Sequence, residues 1–210
     1  MKMAGGFKSH GCKMCHVLGL LLACALLLVS CSRSNVKPGT APVYYSDSRS
    51  VALLPTSAMT EKLDMPQHLR GEFTQQDGSM KSFEGDSWVR ANDSVLSIML
   101  FSGFGTTIAE ITYGKDSLHF ESSVMDVEKM KAEYVLADFQ VCFYPYKALK
   151  DNFEAAGFVF EEARGPAPDF VRTLKDGNTL VLTAQRKGKE ITLVNNLRHY
   201  SYHITLGEEQ

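Results

Sequence analysis

Alternation dominates the chain from His68 onward. Leu69, Gly71 and Phe73 share one phase and Arg70, Glu72 and Thr74 the other, the two-residue period of a half-buried strand. Asp77-Gly78 predicts a tight hairpin. Lys81 to Ala91 continues as a strand, with Trp88 and Arg90 opposite in phase to Phe83 and Val89, and Asn92-Asp93 turns it. Ser94 to Phe101 is apolar in both phases, as a strand covered on both faces would be, and Ser102-Gly103-Phe104-Gly105 breaks it. Thr106 to Tyr113 alternates again, with Ala109, Ile111 and Tyr113 on one side. After the turn Gly114-Lys115-Asp116, Leu118, Phe120 and Ser122 face one way.

The period then changes. Met130, Tyr134, Ala137 and Val141 lie four, three and four apart, which predicts one face of a helix between Val127 and Phe143 with Asp126 as N-cap. The β-branched and aromatic residues of Val135-Leu136 and Phe139 to Tyr144 also suit an extended chain. Pro145 ends or kinks this element, and Tyr146 to Ala156 reads as a second helix stopped by Gly157. Strands return in Phe158 and Phe160, Phe170 to Leu174, Thr179 to Arg186 and Glu190 to Asn195, and in Tyr200, Tyr202, Ile204 and Leu206. Asp176-Gly177 and Lys187-Gly188 mark turns between them. Five strands, one or two helices and five more strands predict a mainly β (α+β) fold. Hairpin-linked strands in this number curl into a barrel or half-barrel, and the helical insert would cover the open side.

The first thirty residues follow other rules. Lys2, Lys8 and Lys13 precede an apolar run from Val17 to Val29, with no acidic residue, and Leu28-Val29-Ser30-Cys31 closes it. The run is short for a membrane span of about 20 residues and has the anatomy of a signal peptide. It resembles a bacterial lipoprotein signal. That resemblance implies cleavage before Cys31, lipidation of Cys31, and, because Ser32 is not Asp, an outer-membrane address on the periplasmic face. The expected organisation is a signal peptide over 1–30, a lipidated Ser- and Pro-rich tether over 31–50 and a half-barrel domain over 51–210. Val43-Tyr44-Tyr45 suits either a docked strand or a short linker. The C-x-x-C-H string Cys12 to His16 matches a haem-attachment pattern but lies in the discarded leader, so no cofactor is expected.

Composition narrows the partners. The 22 basic residues less the three leader lysines leave 19 against 24 acidic ones, a net charge of −5. Such a chain is not built to neutralise phosphates, so no nucleic-acid partner is expected, and attachment to the membrane would come from lipid rather than a basic face. Of five cysteines, the mature chain keeps Cys31 and Cys142, and Cys142 in its apolar run reads as a small core residue.

Two stretches carry a resemblance to known families. Ser102 to Ile111, followed by a turn, a strand and a helix, resembles the LolB family of outer-membrane lipoprotein receptors. Leu136-Ala137-Asp138 with Gln140, then Tyr144-Pro145, resembles lipoproteins encoded in aryl polyene gene clusters. These likenesses imply a LolA/LolB-type half-barrel around an apolar cavity. They also imply a hydrophobic or acylated ligand, a lipoprotein or a polyene lipid, with a periplasmic carrier or export partner nearby. LolB carries a leucine at the tip of its exposed loop where this chain has Phe104.

The residues themselves suggest roles. Phe104 between glycines is either an exposed apolar finger for membrane or partner, or a ring folded back onto the rim. Asp138 and Gln140 inside an apolar segment predict structural hydrogen bonds, to backbone or to Arg90 or Arg172, since a buried carboxylate left unpaired costs several kcal/mol. Trp88, Leu96, Ile98, Leu100, Ile111, Leu118, Phe120, Leu180, Leu182, Ile191 and Leu193 form the expected inward set. A β layer needs such a set whether it is filled or hollow. The resemblance, with nine methionines as adaptable lining, favours a lipid-sized cavity. His199 and His203 share a strand face without a third ligand, so a solvated face is expected rather than a metal site. No Gly-x-Ser-x-Gly elbow or phosphate-binding loop is present, and no catalytic residue is expected. The leading expectation is a non-enzymatic carrier. The alternative is an assembly lipoprotein with a solid core that docks an export partner.

Overall fold

The computed structural model describes residues 32–36, 42–75, 77–115, 117–123 and 131–208. The leader, Cys31 and the expected cap Asp126 lie outside these residues. The alternating segments form β4 (Leu63–Thr74), β5 (Met80–Ala91), β6 (Val95–Phe101), β7 (Thr107–Gly114) and β8 (Leu118–Ser122). Two helices follow, α1 (Ala132–Phe143) and α2 (Tyr146–Ala155). Then come β9 (Val159–Arg164), β10 (Phe170–Asp176), β11 (Thr179–Lys187), β12 (Glu190–Asn195) and β13 (Tyr200–Leu206). These ten strands form one antiparallel sheet, extended at the β8 edge by β1 (Ser32–Val36). The order is β1-β8-β7-β6-β5-β4-β13-β12-β11-β10-β9. The sheet does not close on itself. It is an incomplete barrel in which β4 and β13 join two hairpin-linked halves.

The inner face is set by register. Across β4 to β8 one inward row runs Leu63, Ala91, Leu96, Tyr113, Leu118, and the next runs Met65, Val89, Ile98, Ile111, Phe120. Across the other half Leu174, Leu182 and Asn195 stand in one row. The inner face holds α1. From Leu136 to Cys142 every residue of this helix is buried, so it is enclosed on all sides. The four- and three-residue spacing predicts only a single buried face. The β-branched and aromatic residues that also suit an extended chain are what fill the space around the helix. Pro145, lacking an N–H, separates the two helices, while the Tyr144 N–H still reaches the Gln140 carbonyl at 2.9 Å.

Three expectations need correction. Trp88 faces outward: it lies across from Pro66 and Met99, while Ser87, Val89 and Ala91 point in, and its indole N–H donates to Asp64 at 2.5 Å. An indole with a carboxylate within reach is better placed at the wetter surface than in an apolar interior. Leu180 is 42% exposed. A register shift between Leu174 and Lys175 leaves Val181 and Leu182 both buried, and the extra residue turns Leu180 outward. The third concerns the tether. β2 (Val43–Tyr44) pairs with β3 (Ser50–Val51), and Val43 and Tyr45 are buried in the core. Tyr45 packs edge-on against Phe153 and Phe158, and Arg49 donates to the Gly157 carbonyl at 2.8 Å and pairs with Asp176 at 2.6 Å. The folded unit therefore begins well before residue 51.

Candidate functional site

The polar residues of α1 fix the helix to the sheet. Gln140 clamps Leu54 on both sides: its Oε1 accepts from the Leu54 N–H at 3.0 Å, and its Nε2 donates to the Leu54 carbonyl at 2.7 Å. The Tyr113 hydroxyl donates to the same carbonyl at 3.0 Å. Asp138 accepts a 2.6 Å hydrogen bond from the Tyr200 hydroxyl, and Asn195 Nδ2 donates to that hydroxyl at 3.1 Å. Burial pushes the Asp138 carboxyl up to about 7, against the smaller lowering influences of Tyr200 and Arg198. Neither expected arginine partner meets Asp138 or Gln140. Arg90 pairs with Asp64 on the outer face. Arg172 is buried, pairs with Glu162 at 2.7 Å and donates to the Val141 carbonyl at 2.5 Å. Through these bonds the polar groups of α1 fasten the helix to β7, to β13 and to the Leu54 segment.

At the Phe104 pole the inner face becomes an apolar lip. Leu69, Ile98, Leu100, Tyr202 and Ile204 are half-buried there, and Phe73 and Phe83 are 39% and 38% exposed. The β4–β5 hairpin builds the lip because it outruns its neighbour: β6 stops pairing with β5 at Asp86, leaving Phe83 beyond the ladder. Gly71 makes room for that ring. A Cβ at Gly71 would lie 2.3 Å from two Phe83 ring atoms, and the Phe83 ring meets Tyr202 edge-on at 6.1 Å. Gln67 and Ser87 stand opposite each other on the same inner face, and Gln67 Nε2 is a buried donor without a hydrogen-bond partner among the described residues.

The β6–β7 loop rises from the same pole. Ser102 accepts from the Gly105 N–H at 2.9 Å through its carbonyl and from the Phe104 and Thr106 N–H groups at 3.3 Å through its hydroxyl. Gly105 takes φ +78°, which the glycine permits without strain. Phe104 at the tip is 99% exposed and does not fold back onto the rim. The outer face of the β4–β5 hairpin is plainly solvated. There His68 lies 2.9 Å from both Glu84 and Asp86, which hold its pKa above the ordinary value, Asp86 first.

Of the predicted lining set, Leu96, Ile111, Leu118, Phe120, Leu182, Ile191 and Leu193 join one close-packed cluster with α1. Ile98 and Leu100 reach the lip. A cleft of about 320 Å³ opens at the opposite pole, between Leu63, Met65, Phe143 and Leu206, and none of the predicted lining residues borders it. Its walls could not be read from the sequence, since they come from four separate elements. The expected placement of His199 and His203 on one strand face does not hold. His199 sits in the preceding turn at φ 54°, and His203 pairs with Glu190 at 2.8 Å. Among the described residues no cluster of metal-ligating side chains is found, and no helix is long and apolar enough to cross a membrane.

A family model described as "Protein of unknown function (DUF3261)" matches residues 64–208, which spans β4 to β13 with both helices. The chain belongs to the DUF3261 family. No curated protein matches it. The DUF3261 segment contains the lip, the Phe104 loop and both polar anchors of α1, while the β2–β3 ribbon that packs beside α1 precedes it.

Proposed function

We propose that this DUF3261 protein is an outer-membrane lipoprotein, anchored through Cys31, that accepts a hydrophobic or acylated ligand at its lip and passes it to the membrane. In this reading it is a LolB-like carrier of the kind encoded in aryl polyene gene clusters, acting without catalysis and alongside a periplasmic carrier or export partner. The observation that carries the proposal is the continuous set of half-exposed apolar side chains on the concave face, Leu69, Leu100, Phe83 and Tyr202, ending beside a fully exposed Phe104. A monomer that leaves such residues uncovered on a concave surface offers them to a partner or ligand. Covering about 200 Å² of apolar surface there contributes about 5 kcal/mol. The unpartnered Gln67 amide gives a ligand carbonyl a donor on the same face.

The enclosed helix α1 favours a second reading, the assembly lipoprotein with a solid core, because it occupies the interior that a deep carrier would leave open. Native mass spectrometry separates the two. The full chain carrying Cys31→Ser, purified without detergent, is expected to retain a co-purified lipid that Phe83→Glu removes while the fold is kept. Wild-type lip and Phe83→Glu both emerging free of lipid, and binding none from added vesicles, would leave the assembly reading in its place.

A further inference from the structure

We propose that β1 sets how the protein stands on a membrane: it joins the Cys31 anchor directly to the sheet beside the Phe104 loop, so that this end of the sheet faces the lipid leaflet holding the anchor. The inference rests on the reading of Cys31 as the lipidated residue. Register places the attachment. Ser32, bonded to Cys31 in the chain, pairs with Ser122 of β8. Ser122 stands across from Ala109 of β7, and Ala109 across from Leu100 of β6. The loop that carries Phe104 begins just past Leu100, after Phe101. β1 then runs away from that loop, since Val36 pairs with Leu118, which stands across from Tyr113. Three strand spacings of about 4.8 Å, roughly 14 Å in all, separate Ser32 from Leu100, and one peptide link of about 3.8 Å separates Ser32 from the anchor.

Pairing in β1 removes the slack of a tether. Left unpaired, residues 32–41 would span up to about 35 Å, enough for the domain to turn either end of the sheet to the lipid. The two ends differ in what they offer a bilayer. The loop Ser102 to Thr106 holds no charged residue, Phe104 at its tip is almost wholly exposed, and β8 ends beside it in Ser122 and Ser123. At the other end of the same strands the turns are Asn92-Asp93 and Gly114-Lys115-Asp116, which carry charge. Pressing the Phe104 end on lipid takes a ring out of water without taking a charge with it. A single ring binds a bilayer weakly by itself. Held beside an inserted anchor, it meets the leaflet as a tethered group, at an effective concentration set by the short link. The lip beside this loop then opens toward the membrane.

Fluorescence quenching tests this on the mature lipoprotein, extracted from bacterial membranes and reconstituted in vesicles of phosphatidylethanolamine and phosphatidylglycerol with nitroxide-labelled headgroups. A fluorophore is attached at Thr106→Cys or at Lys115→Cys, exposed positions at the two ends of β7, and the buried Cys142 stays unlabelled. The Thr106 label should be quenched at least about threefold more strongly than the Lys115 label, which stands about 30 Å further along the strand. Two altered chains release the strap. One carries ten Gly and Ser residues inserted between Cys31 and Ser32, a flexible reach of about 17 Å. The other carries Ser34→Pro with Asn35→Pro: neighbouring residues aim their N–H groups to opposite sides of a strand, so one proline removes a donor from the β8 ladder. Both should bring the two labels to within about twofold of each other. Equal quenching at both ends of the parent, or a difference undiminished in either altered chain, would overturn the proposal. A parent chain that does not stay on the vesicles contradicts the lipidated anchor itself, whereas a firmly held chain quenched alike at both ends overturns the orientation alone. Neither result depends on whether the lip retains a co-purified lipid.

Discussion

Replacing Asp138 with Asn isolates the carboxyl that α1 buries against Tyr200. In the unfolded chain this group titrates near 3.8, and in the folded protein burial raises it to about 7. Below about pH 4 both states hold the proton. Between about pH 4 and pH 7 the unfolded chain releases it while the folded chain retains it, so stability falls as pH rises through this window and levels off above it. At 1.36 kcal/mol per pH unit the fall is about 4 kcal/mol. The substituted amide would carry no charge at any pH and can still accept from the Tyr200 hydroxyl. Asp138→Asn should therefore match the parent near pH 4 and exceed it by about 4 kcal/mol at pH 8. With a urea dependence of about 2 kcal/mol/M, the denaturation midpoint should rise by about 2 M at pH 8. Exposed carboxylates with lowered pKa, such as Asp64 and Glu84, change stability in the opposite direction in both proteins and cancel in the difference. Parallel curves for parent and variant from pH 4 to pH 8 would show that Asp138 is not the buried acid described here.

Three further outcomes are expected. Gly71→Ala forces the Phe83 ring aside and should cost about 1–3 kcal/mol, a loss largely absent when Phe83→Ala accompanies it; a double-mutant cycle in urea reads the coupling. Gln140→Leu strips two hydrogen bonds from the half-buried Leu54 peptide groups and should destabilise by about 2–4 kcal/mol, measured by thermal or chemical unfolding. Phe104→Glu should leave the unfolding midpoint within about 0.5 kcal/mol of the parent, since the ring touches little, yet reduce ligand delivery to membranes in a transfer assay.

The strand order is legible because the turn chemistry is local. Asp77-Gly78, Asn92-Asp93 and Asp176-Gly177 each close the hairpin their residue types predict, and Asn92 Oδ1 accepts from the Ser94 and Val95 N–H groups at 2.8 and 2.9 Å. What escapes is decided at a distance. Alternation gives the phase of Trp88, but grouping it with the inward residues overlooks that its neighbours Val89 and Ala91 already hold that face. Leu180 turns outward at a bulge whose cause is a pairing with β10 that periodicity within β11 does not encode. The buried Arg172 is anchored by Glu162 and by the Val141 carbonyl, groups on two other elements, and nothing around it in the sequence marks it as interior. The cleft at the Leu63 pole escapes for the same reason.

The seam between β4 and β13 has a consequence for how the molecule is made. His68 meets Thr205 and Phe73 meets Tyr200 at the centre of the sheet, so the strand that completes the middle follows all nine of the strands from β4 to β12 in the chain. Neither half can be zipped to the other until β13 is available, and pairing so remote in sequence slows folding. A chain cut short before Tyr200 loses the bridge between its halves and the hydroxyl that holds Asp138 with it.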